Sequence, residues 1–588
     1  MTSPAELLAQ ARALHGEGRP EAEALYREAL ERDPGLHTAW DGLGMLAYAS
    51  RRWSAAVDAF ERAVAHAPRR ATYRTHLGAA LTQAGRPGEA IRSFEAALAR
   101  ASASTAAWVG LGNACQRAGD ADRAIDAFRR AIALEPARPA AHNNLGNLLK
   151  DVGRVDEAIA SYRRALEADP ASATAASNLL VAQKLLPDRS PQEALEAHRA
   201  RASVIERDVA PRAPVRPGVD TVDRPLRVGY LSPDAHVALP AFVRTVFANH
   251  DPWRFRVYAY FNNPQRDEPD RAIAGRVTRR VLAGLDDARA AELIAADDLD
   301  ILVDLAGHTG HNRLAIFARR PARVTFTWLD YVSTTGLSTI DFRITDAIAD
   351  PPGDAEPAHS ERLMRLPVPA WCWTPPERAP EPGSPPIVAR GAPTFGSFNH
   401  AMKLTDATLA LWRALFAALP EARFFAAGVP SGSARARVLE GLAISPSRAS
   451  FAPRLGEAEY RATFGRVDVA LDPMPFSGAT TTLDALWQGV PVVTLPGRWT
   501  WSRSSASLLS GLPAPEWIAG DAEDYVAIAA RLVGDVESLA SLRLGLRARV
   551  AASPLVDAAG FARHLEEAYR RGWTSYVRGE LDREDGAA

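Results

Sequence analysis

The sequence is short of cysteine and almost without lysine. Two cysteines, Cys115 and Cys372, stand in 588 residues. That excludes a disulfide framework and makes a reducing cytoplasm the expected setting. An excess of charge of one sign is also missing. The 69 Lys and Arg residues balance 70 Asp and Glu to a net charge of −1, so there is neither the basic surplus of a nucleic-acid binder nor an acidic tail. No run of about 18 apolar residues occurs, which argues against a membrane span. The opening Met1-Thr-Ser-Pro-Ala-Glu-Leu-Leu8 has no basic stretch followed by an apolar core, so no signal peptide is expected. The lysine shortage is the most informative absence. Only Lys150, Lys184 and Lys403 interrupt a chain that otherwise writes its positive charge as arginine.

What is present is a beat of 34 residues. Gly44, Gly78, Gly112 and Gly146 keep it, as do Tyr26, Phe60, Phe94, Phe128 and Tyr162, and two alanine columns through Ala22 and Ala29. Pro34, Pro68, Pro136 and Pro170 close the units. A small residue where two helices touch, an aromatic on the second helix and a closing proline form the tetratricopeptide signature. Each unit is a helical hairpin that cannot bury its apolar face alone, so the units are expected to stack into a superhelix with a groove for extended polypeptide. Five units fill 1–170 and a less regular sixth pair, interrupted by Pro187, runs to about 202.

A proline-rich aperiodic stretch from Asp208 to Gly218 then breaks the pattern, as a linker does. Beyond it, short apolar runs alternate with amphipathic helices. Arg227–Leu231, Ile301–Leu305, Arg323–Trp328 and Phe342–Thr345 read as buried parallel strands. After a second proline-rich break from Pro375 to Pro386 come Pro393–Phe398, Arg423–Ala427, Val467–Leu471 and Val490–Leu495. The expected order is a repeat array at 1–202, a linker at 203–226, and doubly wound α/β domains at 227–375 and 393–580. In such folds ligands sit beyond the carboxyl ends of the strands.

Two loops there carry chemistry. Leu471-Asp-Pro-Met-Pro-Phe-Ser-Gly-Ala-Thr480 leads from a strand into a helix opened by Thr480, Thr481 and Thr482. Free backbone N–H groups and hydroxyls at a helix start suit a diphosphate, and Asp484, one turn in, suits ribose hydroxyls. A plain N-cap with Asp484 near the helix dipole accounts for the same residues. Lys403 follows the first strand of the second sheet, where a cation neutralises charge on a departing diphosphate. His308 and His311 form a His-x-x-His pair, but no third ligand accompanies them, so no metal site is expected. Gly428 to Gly432 reads as a turn, not a dinucleotide fingerprint.

These segments resemble bacterial relatives of the protein O-GlcNAc transferases, glycosyltransferase family 41, with the plant Spindly proteins as cousins. The resemblance rests on Arg227-Val-Gly-Tyr-Leu-Ser-Pro-Asp234, Ile301-Leu-Val-Asp-Leu-Ala-Gly-His-Thr309, Asp341-Phe-Arg-Ile-Thr-Asp346 and His359-Ser-Glu-Arg-Leu363. Phe395-Gly-Ser-Phe-Asn399 with Lys403, Thr480-Thr-Thr-Leu-Asp484-Ala-Leu-Trp487 and Ser502-Arg503 extend it. It implies a repeat superhelix followed by two Rossmann-like domains in the glycosyltransferase B arrangement. It also implies inverting transfer from a nucleotide sugar to Ser or Thr hydroxyls of proteins, with no metal and no resident cofactor. By the same resemblance Lys403 contacts the diphosphate and Thr480 and Thr481 hold phosphate. Asp484 binds ribose, and Asn399 and Arg503 lie with the donor. Asp304 is a candidate proton acceptor, and His308 is a cleft residue of the catalytic group. An asparagine ladder in the groove corresponds to Asn144 and Asn178, with Gly42, His76 and Gly110 at the earlier rungs.

The chain departs from the family pattern at three places. Ala238 stands where a histidine is common, with His236 two residues earlier. Asp330 stands in Trp328-Leu-Asp-Tyr-Val-Ser333 where a small residue is usual, and Ala479 replaces a histidine before Thr480. The expected donor is UDP-GlcNAc and the expected partner a protein or peptide acceptor. Transfer of another sugar, such as fucose from a GDP donor, and an inactive repeat scaffold that holds partners are the alternatives.

Overall fold

The structure, a computed structural model, describes residues 2–207, 209–212, 218, 221–232, 239–262 and 275–581. Contacts divide the chain into two compact units, 1–170 with 430–436, and 171–429 with 437–588.

The first unit is the array. Its helix pairs are Pro4–Gly16 with Glu21–Arg32, His37–Ala49 with Trp53–His66, Ala71–Gln83 with Pro87–Leu98, Thr105–Arg117 with Ala121–Leu134, and Pro139–Asp151 with Val155–Ala168. The glycine and aromatic columns meet. A Cβ on Gly44, Gly78, Gly112 or Gly146 would lie 2.5, 2.8, 2.6 or 2.7 Å from the ring of Phe60, Phe94, Phe128 or Tyr162. Gly42 and Gly110, at the empty rungs of the ladder, are held small by the preceding repeat. Their Cβ atoms would meet Tyr26 at 2.4 Å and Phe94 at 2.3 Å. Each Phe of the column is at most 1% exposed, which stabilises its repeat by about 1.5–3 kcal/mol.

The second unit holds twelve strands among its described residues. They are β1 Leu226–Ser232, β2 Phe255–Phe261, β3 Val277–Val281, β4 Ile301–Asp304, β5 Val324–Thr327, β6 Phe342–Asp346, β7 Arg362–Leu366, β8 Thr394–Ser397, β9 Arg423–Ala427, β10 Ala449–Ala452, β11 Val469–Leu471 and β12 Val492–Val493. One sheet runs β3-β2-β1-β4-β5-β6-β7 and the other β10-β9-β8-β11-β12. Every pairing is parallel. Strand order reverses beside β1 and β4 in the first sheet and beside β8 and β11 in the second, and such switch points open crevices for ligands. The eight expected strands are present. β2, β3, β7 and β10 are additions, and β3, the outer strand Val277-Thr-Arg-Arg-Val281, has no buried position.

Two boundaries differ from the sequence expectation. The sixth helix pair, Ala173–Gln183 and Pro191–Glu206, belongs to the second unit. Ala202 joins the apolar cluster of Leu231, Tyr260 and Leu302, and His198, 0% exposed, bonds Tyr331 Oη through Nε2 at 2.8 Å. Gly336, at φ +79°, admits this helix, since a Cβ there would lie 2.4 Å from the His198 backbone. At the other end, helix Ala558–Val577 packs on the first sheet, where Glu566 accepts from His250 Nδ1 at 2.9 Å and Gly572 abuts Phe326.

Replacing Gly112 with leucine should lower the midpoint of array unfolding by roughly 1–3 kcal/mol equivalent, read by chemical denaturation of the whole chain. Gly88→Ala has nothing within 4 Å of its Cβ and should be neutral or slightly stabilising. Equal effects at both sites would contradict the packing account.

Candidate functional site

The second sheet's switch point brings the loops after β8 and β11 together. Buried Asp472, at the end of β11, shapes the second loop. Its Oδ1 accepts from Gly478 N at 2.6 Å and its Oδ2 from Thr494 Oγ1 at 2.7 Å. Ser477 N and Oγ both donate to Trp501 O at 3.0 Å. The helix Thr480–Trp487 therefore starts at a fixed place. Its N-cap is Ala479 and no side chain caps it, so the plain N-cap of the sequence reading does not occur. The amides of Thr482 and Leu483 return to Ala479 O, which leaves Thr480 and Thr481 presenting the positive end of the helix.

Lys403 reaches this mouth from the loop after β8. Its Nζ donates to Ser477 O at 2.6 Å and to Asn399 Oδ1 at 3.4 Å, and the same Oδ1 accepts from Thr481 Oγ1 at 3.0 Å. Lys403, Asn399, Thr480 and Thr481, read from the sequence, are thus brought together. Burial pulls the Lys403 ammonium down to about 8, and only the Asp472 carboxylate works against that. Asp484 lies one turn deeper, where Tyr460 Oη donates to its Oδ2 at 3.3 Å. Burial pushes its carboxyl up to about 6, opposed by Arg461 and by the Tyr460 hydrogen bond.

In the first sheet, Asp304 ends β4 and is 0% exposed. Its Oδ1 accepts from Ala306 N at 3.0 Å, and its Oδ2 accepts from Gly307 N and Thr327 Oγ1, both at 2.8 Å. Burial raises this carboxyl to about 6 while those hydrogen bonds pull it back. His308 is 1% exposed and donates Nε2–H to Thr335 O at 2.7 Å. Glu361 anchors that segment, accepting from Thr335 N and Thr334 Oγ1, both at 2.7 Å. The His308 Nδ1 is buried without a partner, and burial lowers the ring to about 4. His311 is exposed. Among the described residues no group of three or more His, Cys, Asp or Glu is arranged to hold a metal. Ala238 and His236 lie outside the described residues.

Arg503 sits where the two sheets meet. Its Nε donates to Ile348 O at 2.6 Å and its Nη1 to Gly497 O at 2.9 Å, so much of its guanidinium is committed to joining loops. Ser507 Oγ donates to Asp346 Oδ2 at 2.7 Å and Thr500 Oγ1 to Asp350 across the same seam. Sequence reasoning missed the aromatic lining of Tyr331, Phe476 and Trp501, and with it Lys184, whose Nζ lies 4.0 Å from the Tyr331 ring centroid. Lysine scarcity was the available signal.

Helical repeats followed by two parallel-sheet α/β domains form the glycosyltransferase B type of architecture. A mutant of the Thermobaculum terrenum O-GlcNAc transferase shares it at a TM-score of 0.79 and 33% identity, over 87% of this chain and 98% of that one. Residues 205–371 and 388–565 match glycosyl transferase family 41 and residues 42–105, 75–142, 109–173 and 143–200 match tetratricopeptide repeats. The chain belongs to glycosyl transferase family 41. A Solanum lycopersicum protein named probable UDP-N-acetylglucosamine–peptide N-acetylglucosaminyltransferase SPINDLY is 34% identical over 416 residues, 69% of this chain and 44% of the relative. Its Oryza sativa subsp. japonica counterpart is 36% identical over 370 residues, 61% and 40% of the two chains. The chain spans less than half the length of these curated relatives.

The raised Asp484 carboxyl has a definite pH signature. It holds its proton more tightly folded than unfolded, so its contribution to stability falls as pH rises from 3.8 through about 6. Asp484→Asn should therefore be more stable than the native protein by roughly 1–2 kcal/mol at about pH 8, with the gain gone by about pH 4. Denaturant unfolding across that range checks it, and a gain independent of pH would contradict the assignment.

Proposed function

We propose that the chain is an inverting, metal-independent glycosyltransferase that moves a sugar from a nucleotide donor to Ser or Thr hydroxyls of proteins presented by the repeats. The observation that carries the reading is the uncapped helix start at Thr480 and Thr481, facing the half-buried Lys403. A diphosphate fits such a mouth because helix amides and an ammonium stabilise the charge that grows as it departs. In the reaction the acceptor oxygen bonds to the anomeric carbon as the bond from that carbon to the phosphate oxygen breaks. The electron pair of the broken bond leaves with the diphosphate, and the hydroxyl proton passes to an oxygen of that diphosphate. Lys403 is the catalytic residue in this scheme, Asp484 the ribose contact, and Asn399 the side chain that orients Lys403 and Thr481. Asp304 and His308 hold the loop 305–309 rather than carry the proton, because the oxygens of Asp304 accept three hydrogen bonds and the His308 ring is a weak base.

UDP-GlcNAc is the first donor to test, since the relatives' names carry it. Asp330 favours a second reading, another sugar such as fucose from a GDP donor. Its carboxylate is open to solvent and meets different hydroxyls from those a small residue there would admit. The acceptor surface is proposed in the array, where a cavity of about 320 Å³ is lined by Tyr48, Gly110, Asn113 and Asn144. Asn144 Nδ2 donates to Asn113 Oδ1 there at 3.2 Å.

Lys403→Ala should cut transfer by at least about 100-fold, and near-native turnover by the folded variant would sink the assignment. Asp484→Ala should raise KM more than it lowers kcat, because ribose contacts change little during transfer. Removing residues 1–170 should leave donor affinity and slow donor hydrolysis in place while transfer to protein acceptors falls steeply. Undiminished protein glycosylation by the truncated chain would show that the acceptor binds elsewhere.

A further inference from the structure

Lys184 is a lysine in a place where lysine is costly. It is 2% exposed and ends the helix Ala173–Gln183 as its C-cap. A helix C-terminus favours a positive charge, which explains the sign of the residue but not its course into the interior. The ammonium is enclosed by three rings, with centroids at 4.0 Å for Tyr331, 4.9 Å for Phe476 and 5.6 Å for Trp501. Trp501 is held flat against Trp499, with ring centroids 4.6 Å apart and planes 7° from parallel. The cage is therefore rigid on that side.

The Phe476 ring is shared. Lys403 Nζ lies 4.2 Å from its centroid, so the ammonium groups of Lys184 and Lys403 both stand within 5 Å of the centroid of one ring. Two of the three lysines of the chain, separated by more than 200 positions in sequence, converge on one side chain of the loop that precedes Thr480. Ring faces partly replace lost water around an ammonium, but they do not cancel the repulsion between two of them. The carboxylate in range of Lys184 is that of Asp330. Arg343 and Lys403 oppose protonation of Lys184, and burial opposes it more strongly, so the ammonium is held well below its ordinary value. Asp472 answers Lys403, and Asp350 lies 3.6 Å from Arg343. An anion placed between the two lysines removes the repulsion and restores full charge to both.

We propose that Lys184 is a second donor-binding cation, which with Lys403 brackets the diphosphate of the nucleotide sugar beside Phe476. This rests on the reading of the cleft as a nucleotide-sugar site and adds a residue delivered by the helix pair that precedes the first sheet. The sixth pair thereby supplies a side chain to the reaction centre and is more than a cap on the repeats.

Calorimetric titration of the full chain with UDP, GDP, uridine and guanosine tests the assignment. The native protein should bind one nucleoside diphosphate. Lys184→Met should weaken that diphosphate by about tenfold or more and change affinity for the matching nucleoside by less than about twofold, because only the phosphates meet the ammonium. Lys184→Arg, which keeps the charge, should retain most of the affinity. Lys184→Met removes a buried charge and should fold at least as stably as the native chain, and thermal unfolding of the variant checks that. Unchanged diphosphate affinity in Lys184→Met overturns the proposal, as does an equal loss for diphosphate and nucleoside. A native protein that binds neither diphosphate contradicts the nucleotide-sugar reading itself.

Discussion

Parallel pairing imposes the constraint on which the rest of the second unit depends. When every strand of a sheet runs the same way, all the carboxyl ends emerge on one side, and each connection must return over a face. The loops at those ends are free of ladder hydrogen bonds, and at the point where strand order reverses two of them part. In the second sheet those are the loops after β8 and β11, and they carry Lys403 and Thr480. Asp472 then turns a general crevice into a defined mouth. Two buried hydrogen bonds fix where the loop bends, so the next helix begins with its amides aimed outward and uncapped. A substitution at Asp472 acts on the site through geometry, without touching a ligand.

The array obeys a different constraint, the thickness of an aromatic ring. Each repeat buries one ring against a glycine of the facing helix, and the ring also defines how closely the next repeat approaches. That is why Gly42 and Gly110 are glycine although the ladder of polar side chains passes through their column. Polar rungs and tight ring packing compete for the same positions. The packing prevails at Gly42 and Gly110, whereas His76 between them keeps a polar side chain paired with Asp41 at 2.7 Å, and asparagine appears in this column at Asn144. The groove is consequently most polar in its later part, where Asn113 and Asn144 bond each other.

Much of this was legible in the sequence because local rules dominate it. The glycine and aromatic columns are contacts between neighbouring helices, so their spacing is fixed by one hairpin. The central strands read as apolar runs because both faces are buried. The strands that went unread fail one of those conditions. β3 has two adjacent arginines at an outer edge and β10 is a four-residue outer strand. Lys403, Asn399, Thr480 and Asp484 could be singled out because each lies in the loop or the helix start that follows a strand. Lys184 was not, since its surroundings come from segments around 331, 476 and 501 that meet only in the fold. The sixth helix pair misled for a similar reason. Its spacing continues the array, but its apolar face is completed by Leu231, Tyr260 and Leu302 of the first sheet. Arg503 was placed with the donor by the family resemblance, and in the fold two of its donors join loops of the two sheets.

The central claim is that the mouth formed by Thr480, Thr481 and Lys403 holds the diphosphate of a nucleotide sugar. A crystal structure of the full chain with UDP or GDP, whichever binds, tests it most directly. The account predicts diphosphate oxygens accepting hydrogen bonds from the Thr480 and Thr481 amides and from the Lys403 ammonium, with the ribose beside Asp484. A nucleotide seated away from that helix start, with Lys403 still on Ser477 O and no phosphate against it, would contradict the account.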